Sequence, residues 1–180
     1  MTDMSGAVLK RFVSLASQRL RGDWVVLGGA VLPLLGVEQR ITLDIDIAGP
    51  ETATNRETLE LMNIADELDL PVESINQAAA FFLHRIPGWN DRLCIVETGP
   101  NARILRPDAT LFVLLKLERL SESDLIDCLA MLKLAAASEE PVETDLLLAS
   151  IVEYEAKPEL FHERALRLAA VRDAIRLRLR

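Results

Sequence analysis

Along this chain the spacing of hydrophobic positions changes period several times. Residues 5–21 set Val8, Phe12, Leu15, Ala16 and Leu20 on one stripe at helical spacing, with Lys10, Arg11, Gln18 and Arg19 elsewhere around the cylinder. That pattern predicts an amphipathic helix ended by Gly22-Asp23. Residues 24–27 form a short apolar run that reads as a strand and stops at Gly28-Gly29. Residues 30–35 read as a short helix closed by Gly36. Pro33 removes an N–H from its first turns and distorts it. Residues 39–48 alternate Ile41, Leu43, Ile45 and Ile47 with polar positions, which predicts a second strand, stopped by Gly49-Pro50.

Downstream, Thr54-x-x-Glu57 is a capping box opening a helix whose buried stripe is Leu61, Ala65 and Leu68, and Pro71 ends it. Residues 72–75 read as a short extended piece, and residues 76–85, rich in Ala and Phe, as a helix broken by Pro87-Gly88. Residues 92–98 and 102–106 read as two strands about the turn Gly99-Pro100-Asn101, a hairpin extending the sheet that holds residues 39–48. From Asp108, a good N-cap after Pro107, the pattern is helical: 109–120, 123–137, 143–156 and 159–180, with breaks at Glu139-Glu140-Pro141 and Lys157-Pro158. The expected fold class is α/β: a small mixed sheet with flanking helices over residues 1–107, and a helical C-terminal region, 108–180, packed on that core.

Composition narrows the class. The 180 residues are 50% hydrophobic and 27% charged, which is globular and excludes a largely disordered chain. A net charge of -8 argues against broad electrostatic capture of nucleic acid, though a local basic face remains compatible with it. Cys94 and Cys128 lack C-x-x-C spacing and read as reduced apolar residues, implying neither zinc nor a disulfide framework. No charged-then-apolar leader opens the chain and no run reaches the length of a membrane span, so the expectation is a cytoplasmic protein without membrane contact.

The chemistry concentrates in residues 24–48. Asp44 and Asp46, two apart on one strand, share a face with Cα atoms roughly 7 Å apart, and their oxygens can converge on one hard cation such as Mg²⁺. Gly28 and Gly29, just before a helix, let backbone N–H groups approach a phosphate without an intervening Cβ. Together they read as a metal-triphosphate site. The alternative is a tight strand-to-helix turn beside two solvated edge charges, but two acids aimed one way from an apolar strand are costly unless used.

The order strand, Gly-Gly, helix, Thr-x-Asp-x-Asp strand resembles the nucleotidyltransferase superfamily, with Gly28, Gly29, Asp44 and Asp46 at the motif positions. Residues 88–132 look like the downstream part of a bacterial family allied to the toxins of abortive-infection AbiE systems. There a hairpin leads to a helix carrying Lys, then to an Arg-Asp-x-x-Asp segment. Lys116 matches the lysine and Asp124 and Asp127 the acids, while Ser123 replaces the arginine. The resemblance covers roughly residues 22–135. It implies Mg²⁺ as cofactor, an NTP as substrate, an RNA or protein hydroxyl as acceptor, and a toxin with a cognate antitoxin.

Read from the residues alone, Lys116 interrupts an apolar run and either snorkels to water or lends its charge to a phosphate. Asp124 also suits a helix N-terminus after Ser121, and Asp127 can face the same cleft or pair with Lys133. A two-metal transferase takes a third carboxylate from a neighbouring strand. Glu97 is the only acid well inside the expected hairpin, and apolar residues of both parities leave its face open. By resemblance, Lys116 and Asp124 can serve part of that role. The rival to the enzyme is a degenerate nucleotidyltransferase fold that binds nucleotide or protein without turnover, favoured by Pro33 and by a Glu97 that points away. His84 and His162 have no ligand spacing, no serine has nucleophile context, and the arginines of residues 164–180 read first as a solvated face and second as RNA contacts.

Overall fold

The computed structural model describes residues 5–37, 42, 44–157 and 161–178. The chain divides into two compact units, Met1–Pro107 and Asp108–Arg180.

In the first unit, Ser5 caps α1 (Gly6–Arg19), accepting from the Val8 N–H, and the helix buries Leu9, Phe12, Val13 and Ala16. β1 (Gly22–Leu27) follows and runs into a tight 3-10 turn, Gly28–Ala30, then into α2 (Val31–Leu34). The expected helix is thus a 3-10 turn plus one α-turn holding Pro33, whose ring forbids a regular start. β2 (Ile45–Ala48) carries the second half of the predicted strand; its first half falls largely outside the described residues. Thr54 and Glu57 form the capping box of α3 (Asn55–Glu67). β3 (Ile75–Asn76) comes next, so the helix expected over 76–85 is corrected to a strand end plus a single turn, α4 (Ala80–Leu83). Three alanines favoured helix, but strand pairing with β2 claims Asn76 first. β4 (Leu93–Thr98) and β5 (Ala102–Pro107) are the hairpin.

Among the described residues the strands form one sheet in the order β3-β2-β1-β5-β4. β1 pairs antiparallel with β2 and parallel with β5, so the hairpin joins on the side of β1 away from β2. Parity then sorts the side chains. One face carries Trp24, Val26, Ile45, Ile47 and Ile104, each at most 1% exposed, and α1 packs on both hairpin strands and on α3. At the turn after β4, Gly99 lies so close to the Ser17 carbonyl that no Cβ would fit. The opposite face carries Asp23, Val25, Leu27, Asp46, Ala48, Arg103 and Leu105 by register.

The second unit is helical: α5 (Ala109–Leu117), α6 (Glu122–Ala137), α7 (Thr144–Glu155) and α8 (His162–Arg178). Asp108 caps α5 as its sequence predicts, accepting from the Leu111 N–H at 2.7 Å. Phe112, Cys128, Met131, Leu147, Ile151, Leu168 and Val171 make its core, and burial pushes the Cys128 thiol up to about 12, which keeps it protonated. Arg164 and Arg167 donate to the carbonyls of Leu117, Glu118 and Leu120, closing the end of α5, and Arg172 pairs with Glu155 at 2.6 Å. These three arginines are therefore structural groups of the bundle and not a solvated face, while Arg176 is exposed and Arg180 lies outside the described residues.

Candidate functional site

The order of the strands brings Gly28, Asp46 and Asn76 to one corner of the first unit. Leu27 is the Cα partner of Asp46, so the glycine turn leaves β1 directly beside the Asp46 side chain. Gly28 has φ +63°, a conformation that glycine adopts without strain. A Cβ there would also collide with Asp46 Oδ2. Only a residue without a side chain lets the turn and the carboxylate share this space.

Asp46 is half-buried and Asp44, two residues earlier, is exposed. The Thr42 hydroxyl donates to the Asp44 carbonyl oxygen at 3.0 Å and fixes the entry to β2. Across the other edge of β2, Asn76 is in register with Asp46, and its amide Nδ2 donates to Asp46 Oδ1 at 2.7 Å. The Ala78 N–H donates to Asn76 Oδ1 at 3.0 Å, which assigns the amide: its oxygen faces the backbone donor and its NH₂ faces the carboxylate.

On the same face of the sheet lies a groove of about 710 Å³, floored by Val25, Ala48 and Leu105 and walled by Leu83, His84 and Trp89. The His84 and Trp89 rings stand 5.2 Å apart, centroid to centroid. At one end Arg103 makes a two-point ion pair with Asp23. Val25 and Ala48 are one side-chain step along their strands from Leu27 and Asp46, roughly 7 Å, so the groove floor adjoins the carboxylate corner on that face.

Glu97 is not brought to the aspartates. It lies on β4, three strand spacings from β2, roughly 14 Å across the sheet. An irregularity between Ile95 and Glu97 shifts the register, pairing Glu97 with Ile104 on the closed face and not the face of Asp46. That bulge is why alternation could not fix its side.

Lys116 and Asp124 lie in the second unit and are brought together there. Lys116 Nζ donates to Asp124 Oδ1 at 3.0 Å and to Asp127 Oδ2 at 2.9 Å, and lies 5.3 Å from the centroid of the Phe112 ring. Its side chain is 10% exposed and both carboxylates 1%. Lys116 therefore does not snorkel, and Asp127 pairs with it in preference to Lys133. Arg119 donates through Nε and Nη2 to Asp124, filling the place left by Ser123, and Ser121 forms a capping box with Asp124. Burial by itself would raise the Asp124 pKa. The hydrogen bonds from Arg119 and Ser121 and the Lys116 charge outweigh it and hold the carboxyl far below the usual range.

As to metal binding, no group of three or more His, Cys, Asp or Glu side chains converges among the described residues. The donors at the glycine corner are hard oxygens from two carboxylates with one amide beside them, a set that suits Mg²⁺ when triphosphate oxygens and water complete the shell. Asn76 is the residue of this corner that the sequence pattern did not single out. The signal for Asn76 was its place two residues before an alanine run and just after the β-branched Ile75.

Known proteins bear on the same residues. The model of a family described as "Nucleotidyltransferase of unknown function (DUF6036)" matches residues 7–159, which takes in the glycine turn, both aspartates and the Lys116 cluster. No curated protein and no solved structure matches the chain. Among the described residues no helix is long and apolar enough to cross a membrane.

Proposed function

The chain belongs to this family of nucleotidyltransferases, and from that premise we propose that it moves a nucleotidyl group from an NTP to a hydroxyl in a Mg²⁺-dependent reaction. The observation that carries the reading is the fit of Gly28 against the Asp46 carboxylate, with Asp44 exposed two residues before it at the entry to β2. Asp44 and Asp46 would hold the Mg²⁺. When bound, the ion screens phosphate charge and stabilises the leaving pyrophosphate. Gly28 and Gly29 leave the backbone bare where the phosphates would approach, and the groove floored by Val25 and Ala48 offers the surface on which the rest of the substrates would lie. We assign Lys116 and Asp124 to holding α5 on α6, because each is already engaged and buried.

The choice of acceptor, an RNA or a protein hydroxyl, and a toxin role with a cognate antitoxin in the cytoplasm are supported by the AbiE-like spacing of Lys116, Asp124 and Asp127. A second reading, nucleotide binding without turnover, is favoured by one specific feature: Glu97 faces away, and the residue in register with Asp46 on the neighbouring strand is an amide. The two separate in an assay of α-labelled NTPs with Mg²⁺ and bulk RNA or protein as acceptor. Transfer of label, lost in Asp44→Asn/Asp46→Asn, supports the transferase. Binding of Mg²⁺-NTP without transfer to either acceptor class moves the conclusion to the binding module.

A further inference from the structure

β3 is the strand that adjoins β2 on the open side of the glycine corner, and Asn76 is its residue in register with Asp46. A third carboxylate reaching the same cation from a neighbouring strand would come from this position, since Glu97 lies on the far side of the sheet and on its other face. The chain places an amide there, and the amide is oriented. Its oxygen accepts from the Ala78 N–H, so its NH₂ must point at Asp46 Oδ1.

We propose that Asn76 is a positioning residue for the metal site, which fixes Asp46 through Oδ1 and makes metal uptake depend on the nucleotide. The proposal rests on the reading that Asp44 and Asp46 hold the metal. A carboxylate at residue 76 would add a third negative ligand and favour the free cation; the amide adds none and donates to one of the oxygens a cation would use. Two carboxylates so arranged form a weak set for a bare divalent ion. The triphosphate supplies the missing charge and oxygens, and the metal enters with it. Meanwhile the amide holds the Asp46 carboxylate in one orientation, as outer partners of metal ligands do.

The test uses Mn²⁺, followed by its paramagnetic resonance signal, alone and with each NTP. Asn76→Asp keeps an oxygen for the Ala78 N–H and exchanges the NH₂ for a second carboxylate oxygen. It is expected to tighten binding of free Mn²⁺ about tenfold or more, a gain abolished by adding Asp46→Asn. Asn76→Ala is expected to weaken binding of Mn²⁺-NTP about tenfold, with free Mn²⁺ weak as in the wild type. A folded Asn76→Asp chain that binds free Mn²⁺ no more tightly than wild type overturns the proposal, as does an Asn76→Ala chain within twofold of wild type for Mn²⁺-NTP. Should Asn76→Asp fail to fold, the Asn76→Ala arm decides. Wild type that takes up no Mn²⁺-NTP overturns the transferase reading and the nucleotide dependence together, whereas uptake by wild type that the Asn76 variants leave unchanged overturns the role of Asn76 alone.

Discussion

Two clusters of aspartates in this molecule do opposite things. At the corner of the sheet, Asp44 is exposed and Asp46 half-buried, with an amide and a bare glycine turn beside them. Between α5 and α6, Asp124 and Asp127 are fully buried and share Lys116, with Arg119 and Ser121 closing on Asp124. Charge in the first cluster lies at the solvent side of the sheet, with Asp44 exposed and Asp46 half-buried beside a polar amide. Charge in the second is paired with Lys116 and Arg119 inside the protein, and its desolvation is offset only while those partners stay. Both clusters fall in motif-like spacings, so residue type and spacing identify where carboxylates gather, and burial with pairing decides whether they bind or fold.

The largest effect should come from breaking the buried cluster. Lys116→Met leaves two desolvated carboxylates without their shared cation and should cost about 3–5 kcal/mol of stability, read from the urea midpoint. Asp46→Asn, by contrast, should change stability by about 1 kcal/mol or less and act on ligand binding. Next in size, Gly28→Ala forces a side chain into φ +63° and against Asp46 Oδ2. About 1–3 kcal/mol of stability and the binding of Mg²⁺-NTP should be lost together.

A smaller effect is on pH. The Asp124 carboxyl is held below its unfolded pKa, near 3.9. Its contribution is therefore complete above about pH 4 and is lost as pH falls below that value, because the unfolded chain takes up the proton first. Asp124→Asn should be less stable at pH 7 and show a flatter loss of stability between about pH 4 and pH 2, measured by thermal melts across that range. Smallest of all, Glu97→Gln should leave Mg²⁺-NTP affinity within about twofold and stability within about 0.5 kcal/mol of wild type. A large loss of affinity in that variant would show that the closed face communicates with the site.

Much of this was legible where the signals are local. The Thr54 and Glu57 capping box, the Asp108 cap and the helical run after it rest on contacts within four residues, and the hairpin about Gly99 closes on a turn of three. Gly28, Gly29, Asp44 and Asp46 were legible as a pattern because strand, turn and strand follow one another within 25 residues. What failed was set by contacts far apart in sequence. Asn76 was drawn into a strand by Asp46, 30 residues away, against its helix-forming neighbours. Glu97 was turned to the closed face by a one-residue irregularity that leaves no mark in hydropathy. Lys116 found its partners eight and eleven residues on, and the i, i+3 spacing of Asp124 and Asp127 already put both on one side of α6. Arg119, which follows the end of the preceding helix, supplies the guanidinium that the motif places at position 123.

The most direct test of the contrast between the clusters is calorimetric titration of each of the four NTPs with Mg²⁺ into wild type and into Asp44→Asn/Asp46→Asn. The account predicts Mg²⁺-dependent binding of at least one NTP by the wild type, lost in a variant whose thermal unfolding is unchanged. Absence of binding by the folded wild type, or equal binding by both chains, would contradict it.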